Sequence, residues 1–185
     1  MAVGDRAGVQ EPDLTLIVDG ANVIGSRPDG WWRDRAGAAV RLYDELAGLA
    51  ERGAAGIRAA QLATREDGEA SAGPEQTGPG QAGTGQATQR DGAQTVAVVL
   101  VLEGAAKAAA ARITARTAGD GRDRAGDLGT VQVVSAPGSG DDEIVRLARS
   151  RPGHRIVVTS DRELRRRSVA AGAQVAGPSW LRARL

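Results

Sequence analysis

At 185 residues, 41% of them hydrophobic, the chain has room for one domain with a real core, and its formal net charge of +1 excludes attachment to nucleic acid by overall charge, so any such binding falls to local patches. The absence of Cys and the single His154 exclude a disulfide framework, a thiolate nucleophile and Cys-ligated zinc, leave a His-based metal site or Ser-His-Asp triad little to draw on, and direct the chemistry towards carboxylates. With no Phe, one Tyr and three Trp, the core must be built from Val, Leu, Ile and Ala.

Residues 1–12 are polar and read as a loose N-terminal arm, with one domain over 13–185. Neither a signal-peptide pattern nor a run of about 18 apolar residues is present, which predicts a cytoplasmic protein without a membrane partner. Leu14 to Val18 forms a continuous, largely branched apolar run that stops at Asp19-Gly20, the pattern of a strand buried on both faces with an acid at its carboxyl end. A loop over 23–34 follows, carrying Trp31-Trp32, which reads either as core closing over the sheet or as a stacking surface for an unpaired base. Ala36, Ala39, Val40, Tyr43, Leu46, Ala47 and Ala50 then recur at helical spacing and predict a helix over 35–51.

The stretch 57–64 reads as a short further element, and composition then changes abruptly. Residues 68–92 are Gly, Pro, Gln, Thr and Ala with almost nothing to bury, which predicts a disordered insertion within the one domain. Structure resumes at 95–102, TVAVVLVL, the most apolar strand and the expected centre of the sheet, with Glu103 directly after it. A helix over 105–116, a flexible connection over 117–129, a strand over 131–134, a helix opened by Ser139-Gly140-Asp141-Asp142, a strand over 155–159, a helix opened by Ser160-Asp161-Arg162-Glu163, a strand near 173–176 and a Pro178-led helix complete the order. Alternating strands and helices predict a three-layer, Rossmann-like α/β domain with a mainly parallel central sheet.

Asp19, Glu103, Asp141 with Asp142, and Asp161 all fall at strand ends or just beyond them. Two readings compete. Ser139 with Asp142 and Ser160 with Glu163 resemble capping boxes, and acids in a first helical turn are favoured by the helix dipole. Alternatively the carboxylates converge at the rim where open parallel sheets bind ligands, and their repulsion calls for a cation. Hard oxygen donors with room for water suit Mg²⁺ or Mn²⁺, and such an ion suits phosphodiester hydrolysis.

Four segments, LIVDGANVI, VVLVLEG, SGDDEIVRLAR and IVVTSDREL, resemble in their order the motifs of the NYN-domain branch of PIN-like ribonucleases, in particular the YacP-like bacterial subgroup. The resemblance spans the chain from Leu14 onwards, excluding 68–92. It implies a Mg²⁺- or Mn²⁺-dependent RNA endonuclease of Rossmann-like architecture, with RNA as partner, presented free or on the ribosome or another RNA–protein assembly. Carried over by position, Asp19, Asp141, Asp142 and Asp161 would be metal-binding and catalytic acids, and Asn22 would help shape the site. Glu103, which departs from the Asp expected there, would be a further ligand. Thr159 and Ser160 would support Asp161 by hydrogen bonding. Asn22 alone also reads as a turn residue. Arg27, Arg33 and Arg162 lie near the acids in sequence and, with Trp31 and Ser160, are candidate RNA contacts, whereas Arg165-Arg166-Arg167 reads first as a solvated helix face.

Three rivals stand beside this reading. A phosphatase or phosphotransferase of the haloacid-dehalogenase kind also places an Asp after its first strand, but wants a second acid where this chain has Ala21. A dinucleotide-binding module would need G-x-G-x-x-G spacing, which 20–25 lacks. A non-catalytic RNA-binding or assembly protein on the same fold is the third.

Overall fold

In this computed structural model, which describes residues 12–53, 95–119 and 131–185, five short apolar runs pair into one all-parallel sheet. The strands are β1 (Leu14–Asp19), β2 (Val96–Leu102), β3 (Val131–Ser135), β4 (His154–Val158) and β5 (Gln174–Ala176), in the order β3-β2-β1-β4-β5. Ile17 of β1 lies opposite Val99 on one side and Val157 on the other. The arm apart from Pro12, the stretch 57–64, the insertion 68–92 and most of the connection 117–129 lie outside the described residues.

Helices cover both faces, which is why β1 is buried along its whole length and β2 nearly so. They are α1 (Gly20–Gly25), α2 (Arg35–Glu51), α3 (Ala108–Gly119), α4 (Gly140–Ser150), α5 (Arg162–Ala170) and α6 (Pro178–Arg182), with 3-10 turns at Trp31–Arg33 and Gly104–Lys107. Because strand side chains alternate between faces, successive residues of β1 enter different cores. Leu14, Leu16 and Val18 join Leu42, Leu46 and Leu49 of α2 and Ile113 of α3. Ile17 joins Val99, Val157, Ile144 and Leu147 of α4, and Leu164 of α5. The result is the three-layer, Rossmann-like architecture expected from the alternation of elements. No helix among the described residues is long and apolar enough to cross a membrane.

The structure departs from the sequence reading at three places that matter for the site. β1, not β2, is the central strand. The chain does not loop after Asp19: α1 begins at Gly20, with Asp19 as its N-cap. Gly20 is required there by close packing, since a methyl group at that position would stand 2.6 Å from the Val101 carbonyl oxygen. The helix read over 105–116 divides into the 3-10 turn and α3, whose Ala109 and Ile113 are buried.

From β1 the chain builds β2 and then β3 on one side, and returns to place β4 and β5 on the other. The sheet therefore reverses direction between β1 and β4. Beyond the carboxyl ends of strands at such a reversal the connections diverge and leave a crevice.

Candidate active site

Asp19 ends β1 and is only 8% exposed. Its Oδ1 accepts from the backbone N–H of Asn22 at 3.1 Å, closing the first turn of α1, and its Oδ2 accepts from Thr159 Oγ1 at 2.9 Å. Thr159 Oγ1 accepts in turn from the Asp161 N–H at 3.1 Å. Beside this chain, Asn22 Oδ1 accepts from the N–H and hydroxyl of Ser160, at 2.9 and 2.6 Å. The ends of β1 and β4 are thus tied together across the point where the sheet reverses. Asn22 is helical, and its side chain makes a tertiary link, which replaces the turn reading.

The helix caps are not the ones suggested by local sequence. Ser139 makes no side-chain cap bond; Glu103, from the far end of β2, reaches across and its Oε2 accepts from the Gly140 N–H at 2.7 Å. A methyl group on Gly140 would come within 2.7 Å of the same oxygen, so a side chain there would push Glu103 out of this cap. On α5 the cap is Asp161, whose Oδ1 accepts from the Leu164 N–H at 2.7 Å, while Glu163 pairs with Arg166. Neither capping box forms as read. Asp19, Glu103 and Asp161 each engage at least one carboxylate oxygen in holding a helix end.

These elements border an open cavity of about 440 Å³ lined by Asp19, Asn22, Glu103, Asp141, Ser160 and Asp161, together with Ala21, Gly25 and Ser26. Among the described residues no Arg, Lys or His lines it. Burial raises the Asp19 carboxyl above its ordinary range; the donors Asn22 and Thr159 oppose this, and the charges of Asp141 and Glu103 add to it. Asp141 is also raised, first by burial and then by Asp161 and Glu103, with Arg167 opposing and Asp142 adding a little. Four acids therefore share one electrostatic environment.

They surround a volume rather than a point. Among the described residues no group of three or more His, Cys, Asp or Glu side chains is gathered so as to hold an ion by itself. The donor set still fits a hard divalent cation that takes one or two carboxylates directly and completes its shell with water, the habit of Mg²⁺. Each engaged carboxylate oxygen keeps a further lone pair for that purpose.

No protein-family model and no curated protein matches the sequence. Among solved structures, the chain is similar to the crystal structure of a tryptophan-to-leucine variant of Rae1 (YacP) from Bacillus subtilis, with a TM-score of 0.47 and 15% identity over 91% of this chain and 72% of that one. At that level of likeness, the chemistry of the site rests on this chain's own geometry.

The other candidates lie outside the cavity, or at its edge. Asp142 does not line it: its carboxylate is exposed and pairs with Arg167 at 2.5 Å. Arg27 forms a two-pronged pair with Glu45 of α2, which occupies its guanidinium. Arg33 lies 6.0 Å from the centre of the Trp32 ring, and Trp31 packs half-buried on the core. Arg162 opens α5 on the exposed surface and makes no ion pair among the described residues. Sequence reasoning missed three arginines that fix the surroundings. Arg165 donates to the Thr159 carbonyl at 3.2 Å, Arg182 donates to that of Ser26 at 2.9 Å, and Arg167 holds Asp142. Arg182 and Ser26 lie 156 residues apart, so no local pattern signals that bond.

Proposed function

We propose that the chain is a metal-dependent endoribonuclease of the PIN-like kind, hydrolysing RNA phosphodiester bonds in the acid-lined cavity. The carrying observation is that Asp19, Glu103, Asp141 and Asp161 line one cavity whose wall, among the described residues, includes no basic side chain. Like charges so placed raise the free energy of the folded state until a cation joins them. RNA as the substrate is supported by the resemblance of the four motif segments to the PIN-like ribonucleases.

Asp19 and Asp141, with Glu103 and Asp161 beside them, would hold Mg²⁺ or Mn²⁺. When bound, the ion supplies positive charge against the phosphoryl oxygens and acidity to a water molecule. The protein's own part is orientation. Thr159 fixes Asp19, and Ser160 engages the Asn22 carbonyl oxygen, which leaves the Asn22 amide N–H groups as donors towards a phosphate oxygen in the cavity. Ala21, Gly25 and Ser26, all small, line the rest of the wall. Ala21 also lines the cavity where chemistry of the haloacid-dehalogenase kind needs its second acid, which disfavours that rival.

One observation favours a second reading. Asp19, Glu103 and Asp161 all close helix ends, which is what a non-catalytic RNA-binding or assembly protein on this fold would retain them for. A single assay separates the two. Purified parent and Asp19→Asn are incubated with labelled single-stranded RNA in Mg²⁺, in Mn²⁺ and in EDTA. Hydrolysis predicts metal-dependent cleavage that EDTA abolishes and that Asp19→Asn slows by about two orders of magnitude or more. Cleavage by Asp19→Asn at the parent's rate, or none by either protein, favours the non-catalytic reading.

A further inference from the structure

Trp32 is 56% exposed, which is unusual for the largest apolar side chain, and the structure holds it in place. Gly30, at φ +78°, turns the chain, and Asp29 Oδ1 accepts from the Trp31 N–H at 3.1 Å, so the 3-10 turn is fixed before any partner arrives. Trp31 meets Trp32 edge-on with ring centres 6.1 Å apart and an interplanar angle of 84°. The guanidinium of Arg33 stands 6.0 Å from the centre of the Trp32 ring, and that of Arg35 stands 5.5 Å from the centre of the Trp31 ring.

This patch adjoins the acid cavity. A methyl group on Gly25, which lines the cavity, would lie 3.8 Å from Trp31 Cζ2, an ordinary van der Waals contact. A repulsive acidic cavity thus has beside it an exposed aromatic ring and two cations. That juxtaposition matches a nucleic acid strand, whose bases stack on aromatic faces and whose phosphates are drawn to guanidinium groups.

We infer that Trp32, braced by Trp31 and flanked by Arg33, is a stacking platform for an unpaired base, and that it selects single-stranded over duplex RNA at the cavity. The inference rests on the hydrolase reading for what the cavity does to the strand, but not for the binding itself. Selectivity follows from geometry. A base within a duplex is already stacked on both faces and offers the ring nothing, whereas a splayed base in a single strand covers it. The arginines attract both forms through their phosphates and do not discriminate.

The test measures binding by fluorescence anisotropy in EDTA, where no cleavage occurs, with a labelled single-stranded RNA and the same strand annealed to its complement. The proteins are the parent, Trp32→Ala and Trp32→Phe. Because Trp32 is more than half exposed, both variants are expected to keep the parent's melting temperature, checked beforehand. Loss of one stacked base predicts that Trp32→Ala binds the single strand about 5- to 150-fold more weakly, while duplex binding is unchanged and Trp32→Phe recovers most of the loss. A parent that binds duplex as well as single strand, an equal loss for both RNAs, or no loss with Trp32→Ala overturns the platform. The hydrolase reading is judged separately. Metal- and Asp19-dependent cleavage with an unaffected Trp32→Ala would sink the platform alone, and selective binding without cleavage would sink hydrolysis alone.

Discussion

Asp141 and Asp142 are neighbours in sequence with opposite surroundings, and the difference is testable. Asp141 faces the cavity and its carboxyl is raised by burial and by the charges of Asp161 and Glu103, whereas Asp142 is exposed against Arg167. Ionised Asp141 therefore opposes folding, and Asp141→Asn is expected to raise the melting temperature in EDTA at neutral pH. A raised folded value means that the native state binds its proton more readily than the unfolded chain does. The mutant's advantage should be full above the raised value, shrink as pH falls through it, and vanish below the ordinary value of 3.8. Asp142→Asn should leave the melting temperature within about 2 °C of the parent, as surface changes do. Saturating Mg²⁺ should then raise the parent's melting temperature more than that of Asp141→Asn, by mass action on the folded state. Thermal melts from about pH 3 to 8, with EDTA and with Mg²⁺, check all three; an Asp141→Asn protein no more stable than the parent in EDTA at neutral pH would refute the crowding of acids.

Among the elements, α4 shows how a helix end can be built from outside its own sequence. Judged by helix propensity alone, Gly140→Ala should stabilise the protein by up to about 1 kcal/mol. The structure predicts the opposite sign, because the added methyl would stand 2.7 Å from Glu103 Oε2 and displace the cap. Losing a side-chain cap costs about 1 kcal/mol, and the crowding adds to it, so a net destabilisation of about 1 to 2 kcal/mol is expected in urea unfolding. A double-mutant cycle isolates the cause. In a Glu103→Ala background, Gly140→Ala should become neutral or stabilising; an unchanged penalty would place the strain elsewhere. By contrast, α2 is legible from sequence over its full length, Arg35–Glu51, because one apolar face at helical spacing is a local signal, and the structure adds Asp34 as its N-cap.

For the molecule as a whole, the order β3-β2-β1-β4-β5 makes one rim of the sheet the meeting place of segments far apart in the chain. The one-domain reading, with 68–92 as an insertion between α2 and β2, carries its own test. Its composition offers little to bury, and loop-closure entropy varies slowly with length, by about 0.6 kcal/mol per doubling. Replacing 68–92 with a short Gly/Ser loop is therefore expected to shift the melting temperature by no more than about 2 to 3 °C and to leave the proposed RNA cleavage unchanged. A drop of more than about 8 °C would mean that the segment packs against the domain.

Apolar runs, helical spacing and the acids that punctuate them were legible in the sequence because each is a local pattern, set by side-chain periodicity along a few residues. From these came the alternation of strands and helices, the Val, Leu, Ile and Ala core, and the position of each carboxylate near a strand end. Strand order, and hence which acids meet, depended on the tertiary structure, since parallel neighbours are joined by crossovers that leave no mark in the strands themselves. The same holds for the caps. Glu103 and Gly140 are 37 residues apart, and only their packing shows that the acid closes α4 in place of Ser139. Packing also separated Asp141 from Asp142. Successive residues on a helix point about 100° apart, so once α4 was docked against the sheet one carboxylate faced the cavity and its neighbour turned to Arg167.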